Sequence, residues 1–224
     1  MSDPAQALGS VRRRIANAAS GRPVTLVAVG KAQPVEAMRA FAEAGQSAFG
    51  ENYVQEAQAK RLALADLAIE WHFIGPLQSN KCREVARAFD WLQSLDREKL
   101  VAPLSRHRAP GAKPLEVLVQ VNIDDESSKS GCRPEQMAGL AGAVAAAPGL
   151  RLRGLMAIPA PAQQIELRRA AFRRMRALFE ELRAAHPAVD TLSIGMSDDF
   201  EAAIEEGATM VRVGTALFGP RPRA

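Results

Sequence analysis

Eight short apolar runs alternate with stretches of helical periodicity along this chain, the first at Thr25 to Gly30 and the last at Met210 to Val213. Short runs rich in Val, Leu, Ile and aromatic residues, bounded by Gly, Pro or Asn, read as buried strands. A strand and helix repeat makes successive strands parallel and covers the sheet with helices. Eight such units predict an α/β fold, a (β/α)8 TIM barrel, with an extra N-terminal helix over Asp3 to Ala19 that sets Val11, Ile15 and Ala18 on one face. The length of 224 residues lies near the lower end for that fold. A doubly wound open sheet is the competing architecture, weakened because no GxGxxG follows the first strand. A hydrophobic content of 47 % can fill one sizeable core, so one domain over residues 1–224 is expected.

Between the first and last strands, further strands are expected at 47–50, 71–75, 91–95, 116–123, 152–158 and 191–195. Helices are expected at 34–44, 51–67, 79–89, 96–108, 134–147, 165–185 and 198–206, with Ser79 or Asn80 capping the third of these. Lys and Arg number 29 against 25 Asp and Glu, a formal charge of +4. The excess is spread over helices, with one cluster at Arg168 to Arg176 and a short tail at Arg221 to Arg223. With one Tyr and two Trp to serve as stacking groups, this fits solvated helix faces and argues against nucleic-acid binding. Cys82 and Cys132 show neither CxxC spacing nor a His cluster, so no metal site is expected and reduced thiols are the default. The first residues lack a signal-peptide core and no run reaches membrane-spanning length, which predicts a soluble, cytoplasmic protein.

On a barrel, loops after the strands' carboxyl ends build the functional site. Lys31 sits at the end of the first strand, as a candidate nucleophile or as a solvated lysine. Strands seven and eight lead into Ser193-Ile-Gly195-Met-Ser197 and Arg212-Val-Gly214-Thr215. Barrels often hold a phosphate between these two loops, and both supply glycines for close backbone approach and hydroxyl donors. The alternative is that Ser197 and Asp198 cap a helix while the glycines serve turns. A lysine facing a phosphate cradle suggests pyridoxal 5'-phosphate, whose aldehyde joins an amine that must be neutral to attack. Arg212 could reach the pyridine nitrogen.

Seven motifs, in order, resemble the pyridoxal phosphate homeostasis protein family. They are Val27-Ala-Val-Gly-Lys31, Phe49-Gly-Glu-Asn-Tyr-Val-Gln-Glu56, His72-Phe-Ile-Gly-Pro-Leu-Gln-Ser-Asn-Lys81 and Ser127-Ser-Lys-Ser-Gly131, then Arg153-Gly-Leu-Met-Ala-Ile-Pro159, Leu192-Ser-Ile-Gly-Met-Ser-Asp-Asp199 and Arg212-Val-Gly-Thr-Ala-Leu-Phe-Gly219. The chain departs from the family at Gly30, Ala32 and Gln33, which flank the lysine.

The resemblance implies a barrel similar to the N-terminal domain of alanine racemase, with pyridoxal phosphate held as a Schiff base on Lys31. Ser193, Ser197, Gly214 and Thr215 would hold the phosphate, and Arg212 would face the pyridine nitrogen. Asn52, His72 and Met156 join this set. Asn52 and Asn80 would contact the cofactor or bind each other's loops, His72 would approach the cofactor or sit hydrogen-bonded in the core, and Met156 would pack the barrel floor or the cofactor's face. Lys81 and Lys129 are rival amines. The implied role is non-catalytic, in vitamin B6 homeostasis, with apo-forms of pyridoxal-phosphate-dependent enzymes as partners and a monomer as the expected state. The alternative is a weakly active amino-acid racemase. Against it, an arginine at the pyridine nitrogen weakens the ring as an electron sink. The added β domain that supplies racemases with a second acid/base is expected to be absent, and the one tyrosine, Tyr53, reads as a wall or packing residue.

Overall fold

Helix α1 (Pro4–Ala19) opens the fold, with the Asp3 carboxylate accepting from the Ala5 N–H as its N-cap. The computed structural model describes residues 3–126, 130–160 and 164–219. The chain then alternates through β1 (Thr25–Val29), α2 (Val35–Glu43), β2 (Ala48–Glu51), α3 (Val54–Ala63), β3 (Glu70–Phe73), α4 (Cys82–Ala88), β4 (Trp91–Leu95), α5 (Val101–His107) and β5 (Leu115–Gln120). It continues through α6 (Met137–Ala145), β6 (Leu150–Met156), α7 (Ile165–Ala185), β7 (Thr191–Ser193), α8 (Phe200–Glu205), β8 (Met210–Val213) and α9 (Thr215–Phe218). All eight strands pair in parallel and in sequence order, and β8 returns to β1 with Val27 opposite Arg212, so the barrel is closed. This is the (β/α)8 fold, and it excludes the open sheet.

Strand alternation divides the core in two. Residues facing outward, among them Leu26, Ala28, Phe49 and Phe73, meet the helices in a large cluster, while Val27, Ala48, Trp91, Leu118, Met156 and Met210 pack inside the barrel. α1 lies against α2, α8 and α9, outside the seam between β8 and β1. Arg14 fastens it there, through a two-pronged pair with Glu201 at 2.9 and 2.7 Å and by stacking over Phe200. The arginine cluster of α7 is neutralised locally: Arg168 pairs with Asp199, Arg169 and Arg173 with Glu206, and Arg174 with Asp124. Among the described residues no helix is long and apolar enough to cross a membrane.

Several elements are shorter than the sequence suggests. The helical stretches at 51–67 and 96–108 contract to α3 and α5, the latter preceded by a 3-10 turn at Glu98–Leu100. Pro103 falls in the first turn of α5, where its missing N–H costs nothing. Neither Ser79 nor Asn80 caps α4; both lie in a 3-10 turn that leads into it. Helix α9, four residues long, is too short to show a period in sequence.

The β5–β6 register shifts between Val117 and Leu118, and Arg153 at the shift pairs with Glu116 and Asp190 and lies over the inward-facing Trp91 ring, 4.8 Å from its centroid. Gly154 follows at φ +150°, where an added Cβ would stand 1.8 Å from the Thr191 carbonyl oxygen. Backbone cannot yield as a side chain does. Gly154→Ala should therefore lower stability by about 2–4 kcal/mol, combining overpacking with strain, and thermal denaturation should show a drop of roughly 5–15 °C.

Candidate functional site

Lys31 inherits its direction from β1. Val27 faces the barrel interior, and residues 29 and 31 share its parity, so the Lys31 side chain leaves the strand end towards the barrel mouth. There it borders a cavity of about 220 Å3, with Asn52, Ile74, Ser197, Arg212, Gly214 and Thr215 in the same wall. Six of the nine cofactor-set residues predicted from sequence thus meet in one place: Lys31, Asn52, Ser197, Arg212, Gly214 and Thr215. The Asn52 Oδ1 is buried and, among the described residues, accepts no hydrogen bond.

The peptide carrying Lys31 is clamped from behind. Lys60 of α3 is buried and donates to the Gly30 carbonyl at 2.7 Å, to Glu51 Oε1 at 2.9 Å and to Glu56 Oε1 at 2.6 Å. Glu56 Oε1 also accepts from the Ala32 N–H at 2.7 Å, and Ala32 lies in the left-handed region at φ +59°. One bond fixes the residue before Lys31 and another the residue after it. Glu51 closes β2 with an outward, fully buried side chain, and burial lifts its carboxyl to about 7 despite the opposing effect of Lys60 and, more weakly, Lys31. These three residues were not singled out in the sequence. The available signal was an acid in an outward strand position that should have been apolar.

Arg212 lies under the cavity, buried among strand ends. Its Nη1 donates to the Ser193 carbonyl at 2.8 Å and to Ser193 Oγ at 2.7 Å, and its Nη2 donates to the Ala157 carbonyl at 2.9 Å. Burial lowers its pKa to about 10, partly opposed by Asp199, and it remains a cation at neutral pH. Ser193 Oγ donates to Gln93 Oε1 at 2.7 Å, the Gln93 amide reaches His72 Nδ1 at 3.0 Å, and His72 Nε2 meets Glu70 Oε1 at 2.9 Å. A polar thread therefore runs down the barrel from Arg212 to the foot of β3.

This arrangement puts His72 and Met156 in the core, one of the two readings of each, and engages Ser193 below the cavity. Ser193, His72 and Met156 face inward as expected, but they sit below the mouth and do not border the cavity. Ser193 is occupied by Arg212 and Gln93, His72 stacks on Trp91 with ring centroids 5.2 Å apart, and Met156 belongs to the inner apolar cluster. The reason is register: parity sends every second residue inside, but Met156 pairs with Ser193 and Ser193 with Met210, which places both a layer below Arg212 even though they end their strands. Lys81 pairs with Glu84 and borders a neighbouring groove instead. Tyr53 borders that groove too and is 64 % exposed. Asn80 borders neither, and Lys129 lies outside the described residues.

The opposite wall comes from the loops after β7 and β8. Gly195 turns the chain at φ +95°, where a Cβ would stand 2.6 Å from the Ala203 Cβ. Asp199, not Ser197 or Asp198, holds the N-cap position of α8, without a side-chain bond to the helix, and its Oδ1 accepts from the Met196 N–H at 2.7 Å. That frees Ser197 to face β8. Its Oγ accepts from the N–H groups of Gly214 and Ala216 at 3.2 and 3.3 Å, long bonds that leave both amides under-used.

Over 226 aligned residues the chain is 53 % identical to the pyridoxal phosphate homeostasis protein of Pseudomonas aeruginosa, with 99 % of this chain and 97 % of that one covered. The chain belongs to the pyridoxal phosphate homeostasis protein family. The family model for the alanine racemase N-terminal domain matches residues 6–222. The structure of PipY from Synechococcus elongatus with pyridoxal phosphate bound superposes with a TM-score of 0.85 at 36 % identity, covering 96 % of this chain and all of that one. Alanine racemase from Corynebacterium glutamicum shares the fold, with a TM-score of 0.66 at 23 % identity over 98 % of this chain and 62 % of its own.

In this family member the thread and the clamp can each be tested without a ligand. Ser193→Ala removes one of the three acceptors of Arg212 and the donor to Gln93 together, and should cost about 1–3 kcal/mol in chemical denaturation. Glu51 has a folded pKa of about 7, above its unfolded value of about 4.5. The folded state therefore binds the proton more tightly between those values, and stability falls as pH rises through that window. Relative to Glu51→Gln, the wild-type chain should lose on the order of 3 kcal/mol between about pH 4.5 and pH 7 and change little above it. Melting curves of the two chains across that range check the sign.

Proposed function

We propose that this chain holds pyridoxal 5'-phosphate as a Schiff base on Lys31 and serves intracellular vitamin B6 homeostasis as a non-catalytic carrier. The observation that carries this reading is the convergence on one cavity of the Lys31 amine, the Asn52 oxygen that no described residue hydrogen-bonds, the Gly214 amide with its long bond to Ser197, and the Arg212 cation. These groups fit the cofactor: an amine for its aldehyde, amides and hydroxyls for its phosphate, a cation for its ring nitrogen. The homologous PipY has a structure with pyridoxal phosphate bound.

Bound there, the cofactor supplies an electrophilic aldehyde carbon. The chain's residues do the rest. The bonds to Gly30 and Ala32 hold Lys31 on course, and Ser197, Gly214 and Thr215 seat the phosphate. Arg212 offers a hydrogen-bond donor where a carboxylate would be needed to keep a ring proton, which leaves the ring a poor electron sink and disfavours racemisation. Met196 and Thr215 at the rim are exposed, in keeping with loading and release of the cofactor. Delivery to apo-enzymes by a monomeric, cytoplasmic chain belongs to the same proposal.

Addition of pyridoxal phosphate to purified protein should produce an absorbance band that Lys31→Ala lacks, and borohydride should fix the label on the Lys31 peptide. A label on Lys81 or Lys129 with Lys31 untouched would overturn the assignment. The non-catalytic part predicts that α-proton exchange of amino acids in deuterated buffer stays at the level of Lys31→Ala.

A further inference from the structure

The Glu51 carboxyl takes no part in the chemistry proposed above, yet it is placed where it must respond to it. An added Cβ on Gly30 would stand 2.7 Å from Glu51 Oε1 and 2.8 Å from Met38 Sδ, so the carboxyl packs directly against the residue preceding Lys31. Glu51 Oε1 is held by Lys60, which also holds the Gly30 carbonyl. Glu51 Oε2 is buried and, among the described residues, has no hydrogen-bond partner. A buried carboxylate that leaves one oxygen unsatisfied is costly, and a proton on that oxygen relieves the cost. The titratable groups facing Glu51 are Lys60 and Glu56 from α3 and Lys31 from the end of β1, while α2 presents the apolar Met38.

Of these, Lys31 is the one whose charge surroundings change when the site fills. Its positive charge disfavours a proton on Glu51. An anionic aldehyde delivered to the Lys31 nitrogen cancels that field and adds negative charge nearby.

We propose that Glu51 is a positioning residue that takes up a proton from solvent when an anionic aldehyde binds at Lys31, so that retention of the ligand is coupled to pH through a carboxyl on the far side of the Gly30 backbone. The inference rests on the Lys31 reading. Its chemistry is one proton moving from solvent to a Glu51 carboxylate oxygen, separate from the condensation at Lys31, in which a C=N bond replaces the aldehyde C=O bond and the oxygen leaves as water. The coupling also has a direction: affinity falls as pH rises through the range in which Glu51 would have to lose that proton.

The experiment measures pyridoxal phosphate affinity of the full chain and of Glu51→Gln from pH 6 to pH 8.5. Lys31, the ligand phosphate and the buffer titrate in both chains, so the ratio of the two Kd values isolates Glu51. The wild-type Kd should rise relative to Glu51→Gln by roughly three- to tenfold across that range, the size expected when a neighbouring charge moves an acid by up to one pH unit. Calorimetry in buffers of different ionisation enthalpy should count more proton uptake by wild type near neutral pH. Because Glu51→Gln could fold poorly, difference infrared spectra of the wild-type chain give a second measurement: pyridoxal phosphate should increase the protonated-carboxyl band near pH 7. Parallel Kd curves with equal proton counts, or binding without that band, would overturn this inference and leave the Lys31 assignment standing. Failure of wild type to bind pyridoxal phosphate at Lys31 would overturn both.

Discussion

The architecture depends on the alternation of side chains along a closed parallel barrel. Every second residue must enter a lumen with room for a few layers of side chains, and every other residue must fit under a helix. In this chain the lower lumen is filled by Val27, Ala48, Trp91, Leu118, Met156 and Met210, while its polar positions are His72, Gln93, Ser193 and Arg212. Those four form one hydrogen-bonded chain, closed by the Ala157 carbonyl at one end and Glu70 at the other. The same alternation that sends Lys31 to the mouth sends Glu51 outward beneath α3, which is why a lysine at the site and a buried acid behind it come as one arrangement.

Buried charge is the cost of that arrangement. Lys60, Glu51 and Glu56 would be better solvated in water, and a group of this kind seldom adds net stability. What it contributes is direction. Two backbone groups flanking Lys31, the Gly30 carbonyl and the Ala32 N–H, are tied to side chains of a single helix, and Ala32 is kept in a backbone region that alanine rarely enters. Gly30 and Ala32 both fall within this clamp, where Gly30 leaves room for the Glu51 carboxyl.

Much of this was legible in sequence because the signals were local and repeated. Runs such as Leu115 to Gln120 declare strands by composition, and Gly195 and Gly214 mark the tight loops that follow strands seven and eight. Height along the barrel axis was not legible. His72, Met156 and Ser193 have the correct parity and lie within the family's motifs, but whether such a residue lines the mouth or plugs the floor depends on strand tilt and on pairings such as Gly50 with His72. The Glu51, Glu56 and Lys60 set was hidden for another reason: its members meet across a strand and a helix, with a backbone carbonyl as the shared partner, and no spacing rule joins them. Helix ends slipped where the periodicity continued past the last hydrogen-bonded turn, as at Leu64 to Leu67.

The thread from Arg212 to Glu70 has a sense as well as a path. Arg212 donates to Ser193, Ser193 to Gln93, and the Gln93 amide N–H to His72 Nδ1, which obliges His72 to carry its proton on Nε2 and offer it to the Glu70 carboxylate. Every bond points the same way, so each polarises the next. The barrel axis thereby carries an electrical gradient, cationic at the mouth and anionic at the foot, where the His72 N–H holds the Glu70 carboxyl below its ordinary range. The formal charges sit at the two ends, and the bonds between them turn lone pairs towards the Arg212 cation and hydrogens towards the Glu70 carboxylate, so each charge is solvated from inside the barrel while an anion at the mouth meets the Arg212 charge itself.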